Sequence, residues 1–198
     1  MLLAMLLLAA PVALELELAG GVALPSADAP QDGPAGPALQ ARAGADFFEH
    51  VTISAVLLGV VGEQTAASFC GGGGGACRGN ASFRAISGFV ALRLHAAGDL
   101  QGFVEGGIGP GHLISLSADD LFENPAEHGR GGPAVLLAVG GRGFVSRQVA
   151  LGLELAWTKW TNVSRPAFTY GATNLPARSD LSVDAIMLAF LVSWSTGR

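Results

Sequence analysis

Few residues in this chain have the type and spacing that nucleophilic or metal chemistry requires. An acyl-transfer site needs a nucleophilic hydroxyl, an imidazole base and a carboxylate to orient the base. The nearest approach to that set is His112 and Ser115, with Asp119 or Glu123 following. Residues three apart on a strand point to opposite faces, so these two meet only if the chain turns at Pro110–Gly111. Asp119, Asp120 and Glu123 carry the oxygen chemistry of a divalent-cation site, but a solvated acidic loop has the same composition and outweighs that reading. His128, in Glu127-His128-Gly129-Arg130, reads as a loop tip in water. No His-Glu-x-x-His occurs, and Gly71–Gly75 has neither a following Walker lysine nor the strand-to-helix setting of a dinucleotide loop. Cys70 and Cys77 flank that glycine run, whose flexibility lets their Cα atoms reach disulfide distance; the expectation is a loop staple made in an oxidising compartment, set against two free thiols. A zinc site would need further ligands, and His50 and His95 are distant in sequence. Neither metal, cofactor nor enzymatic activity is expected.

The remaining charged residues are spaced differently. Glu15, Glu17, Arg42, Arg93, Glu105, Arg142, Glu154 and Asp184 stand within segments whose neighbours alternate apolar and small or polar. Only an extended strand separates such residues onto two faces. Leu14, Leu16 and Leu18 oppose Glu15 and Glu17, and Leu39, Ala41, Ala43 and Ala45 oppose Gln40, Arg42 and Asp46. Val51–Val61 alternates more weakly, with Thr52 and Ser54 against Val51, Ile53, Ala55 and Leu57, before becoming apolar on both faces. Ile86, Val90, Leu92 and Leu94 oppose Ser87, Arg93 and His95; Leu100, Val104 and Ile108 oppose Gln101 and Glu105. In Ala134–Phe144, Val135, Leu137 and Val139 oppose Arg142, and in Val149–Trp160 the leucines and Trp157 oppose Glu154 and Thr158. Leu181–Trp194 sets Val183, Ala185, Met187 and Leu191 against Ser182 and Asp184, with Ile186, Leu188 and Phe190 blurring the inner face.

Those are eight candidate strands of about 10 residues, the length that crosses a hydrocarbon layer when tilted. Connections alternate in length. Short turns fall at Phe48–His50, Ala96–Asp99 and Val145–Gln148, and long Gly/Pro/Asn-rich segments at Pro25–Gly36, Glu63–Ser82, Pro110–Pro133 and Thr161–Asp180. Tight turns at one rim and long loops at the other describe an up-and-down transmembrane barrel. A soluble sandwich has no reason to sort its loops by parity.

Composition narrows the same choice. The 198 residues are 50% hydrophobic and 14% charged, against about 25% charged in ordinary soluble domains. Disorder is excluded by the abundance of aliphatic residues. After the N-terminus no apolar stretch reaches the roughly 18–20 residues that a spanning helix needs. A net charge of −5 offers no basic stripe for a phosphate backbone, so nucleic-acid binding is not expected. Met1–Ala13 reads as the apolar region of a signal peptide without its usual basic start, leaving 14–198 as the barrel.

Orientation decides between lipid and water. The polar parity is rich in Gly and Ala (Gly21, Ala91, Gly107, Gly140, Gly152) and carries only one or two charges per strand, which suits a cramped interior better than a solvated surface. With that face inward, Glu15, Glu17, Glu105, Glu154 and Asp184 share the lumen with Arg42, Arg93 and Arg142. Buried charges must pair, so the expectation is an ion-pair network that closes the lumen and gates small-ion leakage, against charges scattered in water at the rims. Phe47, Phe48 and Phe144 fall at the short-turn rim, and Trp157 and Trp160 flank Lys159 near the other rim, where aromatic rings favour a lipid–water boundary.

Gly102-Phe-Val-Glu-Gly-Gly-Ile-Gly109 and Val139-Gly-Gly-Arg-Gly-Phe-Val-Ser-Arg-Gln-Val-Ala-Leu-Gly-Leu-Glu154 resemble the small outer-membrane β-barrel families of the OmpA/OmpX type. There a short turn precedes an aromatic–Val–x–x–Gly–x–Gly strand, and a later hairpin runs from Gly-x-Gly to Leu-Gly-x-Glu. The likeness covers most of Leu14–Trp194 and is strongest over Ile86–Trp160. It implies an eight-stranded antiparallel transmembrane barrel in the bacterial outer membrane, with an N-terminal signal and a charge-plugged lumen. Members of such families are anchors, adhesins or narrow pores, and a few are lipid-modifying enzymes. Family chains usually end in Phe; this one ends Trp194-Ser-Thr-Gly-Arg198. The expected role is thus a non-enzymatic barrel, monomeric, in contact with outer-membrane lipid and with an extracellular ligand through its long loops. The alternatives are a lipid-modifying enzyme using His112 and Ser115, and a secreted soluble barrel holding a small apolar ligand in an apolar lumen.

Overall fold

The computed structural model describes residues 12–27, 35–67, 78–118, 132–165, 168–170, 173–175 and 178–196. Strands β1 (Val12–Ala27), β2 (Gly36–Phe47), β3 (Val51–Ala67), β4 (Arg78–His95), β5 (Leu100–Ala118), β6 (Pro133–Phe144), β7 (Val149–Arg165) and β10 (Arg178–Ser195) form one closed barrel. Two short strands, β8 (Phe168–Tyr170) and β9 (Thr173–Leu175), make a separate hairpin in the β7–β10 connection. Every barrel strand pairs antiparallel with its neighbours, and β1 closes against β10 from Glu15↔Ser195 to Ala27↔Val183. Closure leaves no sheet edge, and an open edge in hydrocarbon would strand a row of backbone donors and acceptors.

Each of the eight periodic segments is a barrel strand, although several run further than their periodicity. β3, β4, β5, β7 and β10 reach 17 to 19 residues and extend into segments that composition marked as loop. A tilted strand needs about 9–11 residues to cross, so these walls stand above the bilayer. β1 already starts at Val12, paired with Phe47, inside the segment expected to be a signal peptide. Residues 1–11 lie outside the described residues, as do Cys70 and Cys77.

The short connections are tight turns. In the β2–β3 turn Phe48 and Glu49 both sit at φ 59°, in the left-handed region that favours glycine or asparagine.

The faces are sorted as a membrane requires. Val90, Ile108 and Leu18 point outward with 67%, 70% and 61% of their surface exposed, whereas Arg93 and Glu154 point inward and retain 1% each. Water could not tolerate that apolar belt; acyl chains can. The soluble-carrier alternative fails here, because Leu92, Val104 and Leu153 are exposed while Arg93, Glu105 and Glu154 are buried.

One strand has its faces opposite to expectation. In β10, Val183, Ala185, Met187 and Leu191 face the lumen, and Ile186, Leu188, Phe190 and Val192 face out. Asp184 therefore lies on the outer side, only partly buried and 4.0 Å from Lys159 of β7, and it is not a lumen residue. Trp160 is likewise not a boundary residue: it fills the lumen with 1% of its surface exposed.

Candidate functional site

The lumen is filled in two tiers. The tier nearer the short turns is charged. Glu15 and Glu17 come from β1, Arg42 from β2, Arg93 from β4, Glu105 from β5, Arg142 from β6 and Glu154 from β7. Two of these pairs, Glu17↔Arg42 and Arg93↔Glu105, are direct cross-strand partners, and the others reach across the barrel. Long side chains can do so because the same face carries Gly44, Gly140 and Gly152. A Cβ on Gly140 would strike the Phe103 ring and the Leu153 carbonyl, so only glycine lets that ring lie against the wall.

The guanidiniums are shared rather than singly paired. Arg42 donates from Nε to Glu105 Oε1 at 3.0 Å, from Nη2 to both Glu154 oxygens at 2.9 and 2.7 Å, and from Nη1 to Glu17. Arg93 donates from Nε to Glu105 Oε2 at 2.7 Å and forks Nη1 and Nη2 onto the two Glu17 oxygens, both at 2.9 Å. Its guanidinium also lies 4.0 Å from the centre of the Phe103 ring, within cation–π range. Arg142 donates to Glu15 and, from Nε, to Gln101 Oε1 at 2.8 Å. Bidentate, charge-assisted bonds are about twice as strong as neutral ones, and those of Arg42 with Glu154, Arg93 with Glu17 and Arg142 with Glu15 bridge strands remote in sequence. Seven of the eight charged residues expected in the lumen therefore come together, and Asp184 does not.

At the rim beneath this tier His95 Nε2 lies 3.2 Å from Asp46 Oδ1 and 3.2 Å from Thr52 Oγ1. Both partners meet the same ring nitrogen, whereas a nucleophile–base–acid relay uses opposite nitrogens, so this is not a triad.

The tier nearer the long loops is apolar, and nothing in the alternation predicted it. Leu58 and Val60 of β3, Phe89 of β4, Leu136 of β6, Trp160 of β7 and Val183 and Met187 of β10 belong to one buried cluster. The Trp160 indole lies over Gly111, where a Cβ would collide with it, and donates Nε1–H to Ser87 Oγ at 2.6 Å. A buried indole with its single donor satisfied costs nothing in unmet polarity. Its sequence signal was present but two-sided: β3 above Leu57 and β10 between Ile186 and Val192 are apolar on both parities.

Of the alternative site, His112 is exposed on the outward face opposite Ile86, and the backbone of Ser115 pairs with Arg84. The register shifts between Arg84 and Ala85, so the two do not follow one regular ladder. Asp119, Asp120, Glu123 and His128 lie outside the described residues. Among the described residues no group of three or more His, Cys, Asp or Glu could hold a metal ion.

A closed eight-stranded barrel with an apolar exterior and a filled interior is the architecture of the small outer-membrane β-barrels. No protein-family model matches the chain, and no curated protein does. Solved structures do. Neisserial surface protein A (NspA) matches with a TM-score of 0.60 at 9% identity, over 92% of this chain and 96% of that one. The outer membrane protein OprG from Pseudomonas aeruginosa matches at 0.56 and 10% identity, over 93% and 96%. Ail, the attachment invasion locus protein of Yersinia pestis, in complex with the heparin analogue sucrose octasulfate, matches at 0.52 and 10% identity, over 93% and 99%. The chain shares their fold.

Proposed function

We propose that this protein is a sealed, non-enzymatic barrel of the bacterial outer membrane, which holds its long outer connections at the cell surface to contact an extracellular ligand. The observation that carries this reading is the double closure of the lumen. A conducting path would have to pass Arg93 and Glu154, each 1% exposed, and then Leu136 and Trp160, 0% and 1% exposed. In the charged tier the arginines are held by glutamates, and the tier above it is lined by buried apolar side chains. Ions do not cross a dry apolar constriction. The walls that rise above the belt on β3, β4, β5, β7 and β10 carry the connections, where binding residues are most often found. The ion-pair network is then a structural plug that holds strands in register. The fold that Ail shares with this chain is seen with a heparin analogue bound, which supports a surface-contact role.

Conductance of the refolded chain in a planar bilayer tests this directly. Silence across ±100 mV is expected, and discrete openings would turn the reading into a narrow pore. The enzyme alternative is addressed by incubating the refolded protein with radiolabelled phospholipid: no hydrolysis is expected, and hydrolysis lost on Ser115→Ala would overturn the non-enzymatic reading.

A further inference from the structure

The ion pairs of the charged tier leave out β3. Strands β1, β2, β4, β5, β6 and β7 each bring an acid or an arginine to it, whereas β3 brings only the hydroxyls of Thr52 and Ser54, and β10 that of Ser193. Ser193 is tied in directly, since its Oγ accepts from Arg142 Nη1 at 3.4 Å. Ser54 is not. It is 5% exposed and its hydroxyl has no hydrogen-bond partner, the one lumen-facing side-chain oxygen so placed among the described residues. A buried hydroxyl with nothing to bond to keeps the whole cost of its desolvation.

Ser54 borders a small cavity together with Thr52, Glu15, Glu17, Arg42 and Arg93. The room it leaves for a water-sized sphere is about 10 Å³, enough for one such molecule and for nothing larger. Its lining excludes a charged occupant, because two guanidiniums repel a cation and two carboxylates repel an anion. It suits a neutral molecule that donates and accepts at once. Asp46 Oδ1 and Thr52 Oγ1 both meet His95 Nε2 at 3.2 Å, and a carboxylate can only accept, so that nitrogen carries the proton. Thr52 therefore accepts from His95 and keeps its own O–H to donate. Glu15 takes its hydrogen bonds from Arg142 alone, and a carboxylate has about four lone-pair sites, so it has room for another donor. From the size of the cavity, the unpartnered hydroxyl and these two neighbours we propose that the lumen holds one internal water molecule, which bonds to Ser54, accepts from Thr52 and donates to Glu15. Three partners is the usual complement of a buried water. This molecule is the link by which β3 joins the charge network. Arg93, 1% exposed, and His95, 6% exposed, shut it off from above and from the short-turn rim, so it leaves only when the barrel opens locally.

The test is proton-detected solid-state NMR of the full chain refolded into phosphatidylcholine vesicles, with magnetisation transferred from water to protein while a nickel chelate is present in the buffer. The chelate quenches transfer from bulk water and spares a molecule it cannot reach. Transfer to Thr52 and Ser54 is expected to persist in the chelate. Ser54→Val fills the cavity with methyl groups while keeping the Thr52 hydroxyl, and transfer to Thr52 is expected to be lost. Ser54→Ala removes one of the three partners without adding volume and is expected to weaken the same transfer; it decides the question should the valine variant not fold. Absence of transfer in the parent would overturn the proposal. So would its loss in the chelate, since bulk water would then wet the tier, and so would undiminished transfer to Thr52 in the variants, since the signal would then be a relay through the Thr52 hydroxyl.

Discussion

Arg93→Met is the perturbation whose cost the structure lets one work out most fully. Methionine keeps much of the volume against Phe103, so the loss is chiefly electrostatic. The substitution deletes the Nε bond to Glu105 at 2.7 Å and the fork onto Glu17 at 2.9 Å twice over. Glu105 is left with Arg42 alone, and the formal charge of the tier rises from one negative to two. Removing one partner of a buried ion pair costs about 3–5 kcal/mol, because the remaining charge stays desolvated. A loss of about 4 kcal/mol corresponds to roughly a thousandfold in the folding equilibrium. The assay is urea unfolding of the chain refolded into phosphatidylcholine vesicles, followed by tryptophan fluorescence and by the heat-modifiable gel shift. The midpoint should fall without a change in slope, as expected when stability alone is altered. Adding Glu105→Leu removes the carboxylate that Arg93 leaves behind, and should restore more than half of the loss. A single variant within 1 kcal/mol of the parent, or a double variant worse than the single, would refute the view that these charges act as one desolvated network.

Other consequences follow from individual contacts. Trp160→Phe keeps a ring over Gly111 but loses the bond to Ser87 and should cost about 1 kcal/mol, whereas Trp160→Ala should cost about 3–5 kcal/mol by opening a cavity in the apolar tier; both are read by the same urea titration. Gly140→Ala places a methyl against the Phe103 ring and the Leu153 carbonyl and should destabilise the barrel by about 1–3 kcal/mol in that assay. Glu49→Gly relieves a left-handed residue in the β2–β3 turn and should raise stability by about 1 kcal/mol, visible as a higher urea midpoint. Leu153→Arg puts a charge on the lipid face and should cost about 2–4 kcal/mol in vesicles.

The strands were legible because each carries at least two polar or small residues on one parity. Glu15 and Glu17 against three leucines determine β1 without help from the fold, and Arg93 and His95 do the same for β4. The faces of β10 differ from the sequence expectation for a physical reason. Its polar markers, Ser182 and Asp184, lie at the end where the outer wall reaches the headgroup region, and a polar residue there faces outward as readily as inward. Below them Ile186 and Met187 differ in face but not in polarity. Trp160 reads as a boundary residue from sequence because tryptophan is at home both at an interface and in a core that offers its N–H a partner; Ser87, which offers it, is 73 residues away in sequence. The whole apolar tier was hidden for the same reason. Alternation reveals a lumen only where the lumen is polar, and Val56, Leu58, Leu136 and Leu191 look the same to it on either side of the wall. The stoichiometry of the charges was readable, but the sharing of each arginine among several acids is a property of barrel closure alone.

The most direct measurement is a scan of single cysteines carrying spin labels along β6 and β7 in lipid vesicles, with Cys70 and Cys77 replaced by serine. Labels at Leu137, Val139, Leu153 and Leu155 should collide freely with dissolved oxygen and be shielded from a water-soluble nickel chelate, while labels at Ala138 and Ala156 should be shielded from both. Loss of that alternation, or chelate access at Ala138 or Ala156, would mean that the barrel is either turned inside out or hollow.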